Sequence, residues 1–222
     1  MKFDIHESVK REKGHCRLGY VVIRNTEVQG APPSLTQKFF QLRAAIAGVS
    51  NVDGLVNVPK LANVLNIYNQ DEFDMTRYNL ASEELIHRIL HHKESYYVNS
   101  AVTVANYCSI KFLLPIGLYD FDQLQGNIQY GLPSEDTYIN INGDVVPTEG
   151  QSFLSDDHGV FGNSCTDTRR TAVTLSTNSI LTVVYADKKI SIEELTNMLN
   201  FTSEMIIRYN GGILETQEII DI

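Results

Sequence analysis

The chain has 222 residues, 43% hydrophobic and 20% charged, with a formal net charge of −9. That size and apolar content can build a packed core, which excludes collagen-like, coiled-coil and disordered chains. The acidic balance speaks against a protein that coats itself with nucleic acid, and no apolar run approaches the roughly 20 residues that cross a bilayer, so neither DNA nor a membrane is an expected partner.

The N-terminal MKFDIHESVKREKG is charged where a secretion signal needs an apolar stretch, which points to the cytoplasm. Residues 1–50 hold eight Lys and Arg against four acids, so a basic N-terminal segment can meet a phosphate within an acidic chain. Leu18 to Arg24 reads as a strand. Pro32-Pro33 breaks the chain, and Ser34, with Gln37 three residues on, predicts a capped helix with Leu35, Phe39, Leu42 and Ile46 on one face and Gly48 as its stop. A weaker helix follows Pro59, then a polar connector over Asn69 to Met75. Ser82 opens another helix, with Glu83 and Glu84 in its first turn and Leu85, Ile86, Ile89 and Leu90 as its stripe. A further helix covers Ala101 to Phe112 and ends before Pro115.

From Gly126 the hydrophobic period shortens from near 3.6 to near 2. Strands are predicted over Asn127–Gly131, Thr137–Ile141, Asp144–Val146, Gln151–Ser155, Ala172–Leu175 and Ile180–Ala186, with Asn142-Gly143 as a two-residue hairpin turn. Asp156 to Thr171 reads as a long polar loop, a length usually kept for function. Ser191 and Glu194 form a capping box for a last helix, striped by Ile192, Leu195, Leu199, Met205 and Ile206 and ended by Gly211-Gly212. Ile213 to Ile220 makes a final amphipathic strand. The expectation is one α+β domain over residues 1–222.

Several constellations can carry chemistry. Glu84, His87 and His91 share a helix face, as in helical zinc sites, but a solvated face explains them better. Asp120 and Asp122 in the YDFD run can hold a metal or act as acid and base; a turn whose aspartates accept backbone N–H groups is the preferred alternative. Asp156-Asp157-His158-Gly159 also reads as a turn. No metal is expected. Cys16, Cys108 and Cys165 are odd in number and far apart, which excludes a disulfide framework and fits a reducing compartment. In the polar loop, Asp167, Arg169 and Arg170 among Thr166, Thr168 and Thr171 can present hydroxyls and a guanidinium to a phosphate, carboxylate or ribose, or form an internal Asp–Arg clamp. Neither a GxSxG elbow, a P-loop nor a GxGxxG occurs.

The stretch ASEELIHRILHHKESYYVNSAVTVANYCSIKFLLPIGLYDFDQLQGNIQYG resembles the B3/B4 domain of the phenylalanyl-tRNA synthetase beta subunit. That domain carries an Asn-x-x-Val-Asp-hydrophobic-x-Asn helix and a Pro-hydrophobic-His-Ala-Phe-Asp-Leu-Asp run, here Asn99 to Asn106 and Pro115 to Asp122. Free-standing B3/B4 proteins look closer still. They share Thr76-Arg77-Tyr78, Ser82-Glu83-Glu84, the Pro-x-Gly-x-Tyr-Asp-x-Asp run and Asp167 to Thr171. The likeness is strongest over 76–186. It implies an α+β fold with a β-sandwich-like core and flanking helices. In function it implies recognition of an aminoacyl-tRNA end, with hydrolysis of misacylated esters (an aminoacyl-tRNA deacylase, not a synthetase) as one outcome. A non-catalytic module that binds tRNA, an amino acid or a related small metabolite is the alternative. The partner implied is a tRNA acceptor end or an aminoacyl-adenosine-like ligand, with no cofactor. The residues implied to bind it are Asn106, Gly117, Tyr119, Asp120, Thr166, Asp167, Arg170, Thr171 and Thr182. Gly117 stands where the synthetase has His, leaving room for a bulkier group, and Thr182 stands where it has the editing Glu, so no catalytic residue carries over.

Overall fold

In a computed structural model of the chain, the described residues are 2–6, 9, 16–49, 98–148 and 150–221. Two four-stranded sheets face each other. The first, in the order β10-β2-β9-β3, is built from β2 (Cys16–Arg24), β3 (Ile116–Asp120), β9 (Ile180–Asp187) and β10 (Ile213–Asp221), all antiparallel. The second, β1-β4-β7-β8, holds β1 (Phe3–Ile5), β4 (Ile128–Gly131), β7 (Phe153–Asp156) and β8 (Gly159–Gly162). A small hairpin, β5 (Thr137–Ile139) with β6 (Val145–Pro147), lies apart from both. Three helices complete the described chain: α1 (Pro33–Val49), α2 (Ser100–Phe112) and α3 (Ile192–Asn210).

The alternation of side chains along the central strands sets the layers. Leu18, Tyr20 and Val22 of β2, with Leu181, Val183 and Tyr185 of β9, meet Ile128, Tyr130, Leu154 and Phe161 across the sandwich. The opposite face of the first sheet, Val21 and Ile23 with Ile180 and Val184, packs on the helices. β2 and β9 are buried on both faces, so they read as continuous apolar runs. Gly19 permits the close approach of α3, since a Cβ there would press on Leu195 and Leu199. The result is α+β, a sandwich of sheets with helices on one outer face.

The basic N-terminal excess is partly spent inside the molecule. Arg17 pairs with Asp221, Arg24 with Glu215, and the Tyr20 hydroxyl donates to Glu218 at 2.7 Å, so three acidic residues of β10 are tied to β2. Burial, followed by Glu218, raises the Tyr20 pKa.

Several boundaries differ from expectation. α1 begins at Pro33, where a missing N–H costs nothing, so Ser34 lies inside the helix; the helix also runs past Gly48. Ile192 is 55% exposed and leaves the α3 stripe, while the Ser191–Glu194 capping box forms. In the β5–β6 hairpin Gly143 donates to the Asn140 carbonyl and takes a positive φ, making a longer loop than a two-residue turn. The long polar loop contains β8, hidden in sequence because its GVFG is short and ends in glycines. Ala172–Leu175 is not a strand: Ala172 bridges Tyr119, and Thr174 to Thr177 turn back. The helices predicted after Pro59 and Ser82, the connector between them, the Thr76-Arg77-Tyr78 motif and the Glu84, His87, His91 set lie outside the described residues.

Candidate functional site

Two glycines on facing sheets define the centre of the site. A Cβ on Gly117 of β3 or on Gly162 of β8 would stand 2.7 Å from ring carbons of Tyr119. Tyr119, two residues beyond Gly117 on the same strand face, folds its fully buried ring into the space both glycines leave. The room expected at Gly117 is therefore filled by the chain's own phenol. That ring meets Phe161 edge-on, with centroids 4.9 Å apart, and its hydroxyl lies 3.0 Å from the Tyr185 hydroxyl.

Asp167 completes the cluster. It bridges Gly162, and its Oδ1 shares with the Tyr119 hydroxyl the spot where Gly162 lacks a Cβ. This oxygen is buried and has no aligned hydrogen-bond donor. Burial pushes the Asp167 carboxyl up to about 7, against the pull of the Tyr119 hydroxyl in the other direction. Burial and the nearby Asp167 hold Tyr119 and Tyr185 well above the ordinary phenol value, so both remain donors. Among the described residues no cation pairs with Asp167.

A tight turn leads into Asp167. The Asn163 N–H donates to the Thr166 carbonyl at 2.9 Å, and its side-chain oxygen accepts from the N–H groups of Cys165 and Thr166, each at 2.9 Å. Its amide donates to Gln151 Oε1 at 2.9 Å. Ser164 to Asp167 are half-buried, a polar turn over an apolar interior. Gln151 Nε2 and Ser152 Oγ, both buried, find no partner among the described residues. Buried polar groups are normally bonded, so unspent groups in this region need an explanation.

The remaining implied residues divide between other roles and places. Arg170 grips Asp156 bidentately at 2.8 and 3.1 Å and also donates to the carbonyls of Gln123 and Gly159. The clamp expected within the loop thus exists, with Asp156 rather than Asp167 as its acid. Thr171 is fully buried and its carbonyl accepts the Asp120 N–H at 2.8 Å. Asp120 accepts from the Asp122 N–H at 3.1 Å and the Thr177 hydroxyl at 2.8 Å, capping a 3₁₀ turn over Phe121–Gln123. Asp122 pairs with Arg24, and Asp156 accepts the His158 N–H, so both aspartate runs are turns. Among the described residues no three metal-ligating side chains gather. Thr182 pairs in register with Leu118, on the helix-facing side of the sheet, where its hydroxyl is buried without a partner. Asn106 is half-buried on α2, in the same helical layer. Gly117, Tyr119, Thr166 and Asp167 are thus brought together, and Thr182 and Asn106 lie across the sheet from them.

Sequence reasoning missed Tyr185, Gly162, Gln151 and Ser152. Tyr185 had a signal: it shares the parity of Leu181 and Val183 in a buried strand, so a phenol there needs an interior partner. Gly162 had none, because its role appears only when Tyr119 crosses from the other sheet.

Comparison with known proteins places the chain in a family. Residues 74–218 match the B3/4 domain family. A comparison with curated proteins gives no match. Among solved structures the chain is similar to an N-terminal fragment of the phenylalanyl-tRNA synthetase beta-subunit from Pyrococcus horikoshii, at a TM-score of 0.47 and 12% identity. That similarity covers 98% of this chain and 50% of the other, so the chain spans about half the length of that fragment. With well over half of its residues inside the family match, including the whole Tyr119, Gly162, Asp167 and Tyr185 cluster, the chain belongs to the B3/4 domain family.

Proposed function

We propose that the chain recognises the amino-acylated end of a tRNA at the turn formed by residues 163–167, as a binding module. The observation that carries this reading is the half-buried Asp167, which has no cation partner among the described residues, in a chain whose motifs resemble a synthetase editing domain. A single-stranded end needs little contact area, which suits a chain of net charge −9. Lys189 is exposed directly after β9, four residues beyond Tyr185, and offers a contact to phosphate. Binding without cleavage is favoured because Gly117 offers no side chain and its space is filled by Tyr119, while Thr182 lies on the opposite sheet face.

One observation supports hydrolysis as a second reading. A carboxyl held near neutrality can accept a proton from water as that water attacks an ester carbonyl, then return it to the departing ribose oxygen. The test is to incubate the protein with tRNA for phenylalanine charged with tyrosine, and with other misacylated tRNAs, following ester loss and filter retention together. Retention with intact ester is the result expected of a binding module. Ester loss abolished by Asp167→Asn establishes the hydrolytic reading. Neither retention nor ester loss refutes recognition of tRNA.

A further inference from the structure

We infer that Asn142, at the tip of the β5–β6 hairpin, is a site of spontaneous deamidation, converted through a cyclic imide to aspartate and isoaspartate with water as the co-reactant. The inference is independent of the tRNA reading above. The chain has two Asn-Gly pairs, Asn142-Gly143 and Asn210-Gly211, and the fold treats them oppositely. Asn142 is exposed, and among the described residues its side-chain amide makes no hydrogen bond. Its backbone is held, the N–H by Asn140 Oδ1 at 2.9 Å and the carbonyl by Arg169 at 3.4 Å. Gly143 follows with a φ of 94°; it has no Cβ, and one built there would meet nothing nearer than Arg169 Nη2 at 3.4 Å. One bond, from the Gly143 N–H to the Asn140 carbonyl at 3.0 Å, occupies that nitrogen, and it lies in an exposed loop that opens locally at low cost. On opening, the nitrogen gives up its proton and attacks Asn142 Cγ. The N–Cγ bond forms, the Cγ–Nδ2 bond breaks, and the side-chain nitrogen leaves as ammonia. Water then adds at either imide carbonyl and breaks its bond to nitrogen, giving aspartate or isoaspartate. The balance is one water in and one ammonia out, with no change of oxidation state. Asn210 is locked instead. It is 2% exposed, its amide donates to the Ile206 carbonyl at 3.0 Å and its Oδ1 accepts from the Ser100 hydroxyl at 2.5 Å. The Gly211 N–H donates to the Ile207 carbonyl at 2.8 Å, so attack there requires the end of α3 to come apart. The carboxylate formed at position 142 arises where Arg169 already reaches, and isoaspartate also lengthens the main chain beside the bridge between Asn140 and Thr168.

The test incubates the whole protein at pH 7 and at pH 8 and follows both Asn-Gly pairs by peptide mapping and mass spectrometry, with fragmentation that separates isoaspartate from aspartate. Asn142 should convert ~10-fold or more faster than Asn210, because an exposed loop opens far more often than a buried helix end. Its conversion should be faster at the higher pH, where more of the attacking nitrogen is deprotonated, and should yield both products. The Asn142→Gln variant, whose longer side chain disfavours the small imide ring, should leave the same peptide unchanged. Conversion of Asn142 no faster than that of Asn210 overturns the inference. So does aspartate without isoaspartate, since direct hydrolysis of the side-chain amide cannot move the main-chain bond.

Discussion

Replacing Asp167 by Asn should make the ligand-free protein more stable, and increasingly so as pH rises. The folded state holds the Asp167 proton up to about pH 7, against an ordinary value of 3.8. A carboxyl whose folded pKa is raised costs nothing below the unfolded value, and the cost grows as pH climbs through the window to the folded value. About three pH units at ~1.4 kcal/mol each give a loss on the order of 4 kcal/mol between pH 4 and pH 7, flat above that. This is a large share of the ~5–15 kcal/mol that typically stabilises a folded protein. The assay is urea unfolding of both proteins at each pH from 4 to 8. Subtracting one curve from the other cancels the titration of every other acid in the chain. The stability gap should widen across that range and then level off. A gap that is constant with pH, or that closes as pH rises, refutes the claim that Asp167 is buried without a counter-charge.

Arg170→Ala should strand the Asp156 carboxylate, whose side chain is fully buried while Arg170 is 30% exposed, at a cost of about 3 kcal/mol. Thermal melting should fall by roughly 6–12 °C, and an unchanged midpoint would show that Arg170 is free for ligand instead. Gly162→Ala drives a Cβ into Tyr119 and Asp167 and should cost ~1–3 kcal/mol by urea denaturation; a neutral substitution would mean that the two sheets do not close there. Changing Lys189 to Glu should weaken tRNA retention and lower the salt slope by about one, while leaving the affinity for tyrosine methyl ester unchanged. A salt slope equal to that of the wild type would remove this lysine from the interface.

How far the fold could be foreseen depended on whether the deciding interaction was local. The β2 and β9 runs, the Ser191–Glu194 box and the α2 boundaries were legible because apolar runs, caps and terminators act within a few residues. β8 was not, since a four-residue strand between glycines has no periodicity of its own and forms by pairing with β7. The start of α1 was misplaced by two residues because Pro33 satisfies the first helical position as well as Ser34 satisfies a cap. In the site, the family motifs pointed to Gly117 and Asp167, but not to what fills the space between them. That depends on Tyr119 reaching Gly162 on the other sheet, a contact between residues far apart in sequence. The same limit explains Thr182: its place across the sheet follows from strand register, which the motif alone does not contain. Arg170 was placed among ligand contacts because an arginine in a polar loop has many possible partners; the fold selects Asp156, on the strand hairpin that the loop reading concealed.

The central claim is that the turn at residues 163–167 recognises an amino-acylated adenosine. The most direct measurement is a backbone NMR titration with an amide-linked tyrosyl-adenosine, which hydrolysis cannot consume. Saturable shifts should centre on Asn163 to Asp167 and extend to Tyr119 and Tyr185. An absence of saturable shifts, or shifts confined to another surface such as β10, would contradict it.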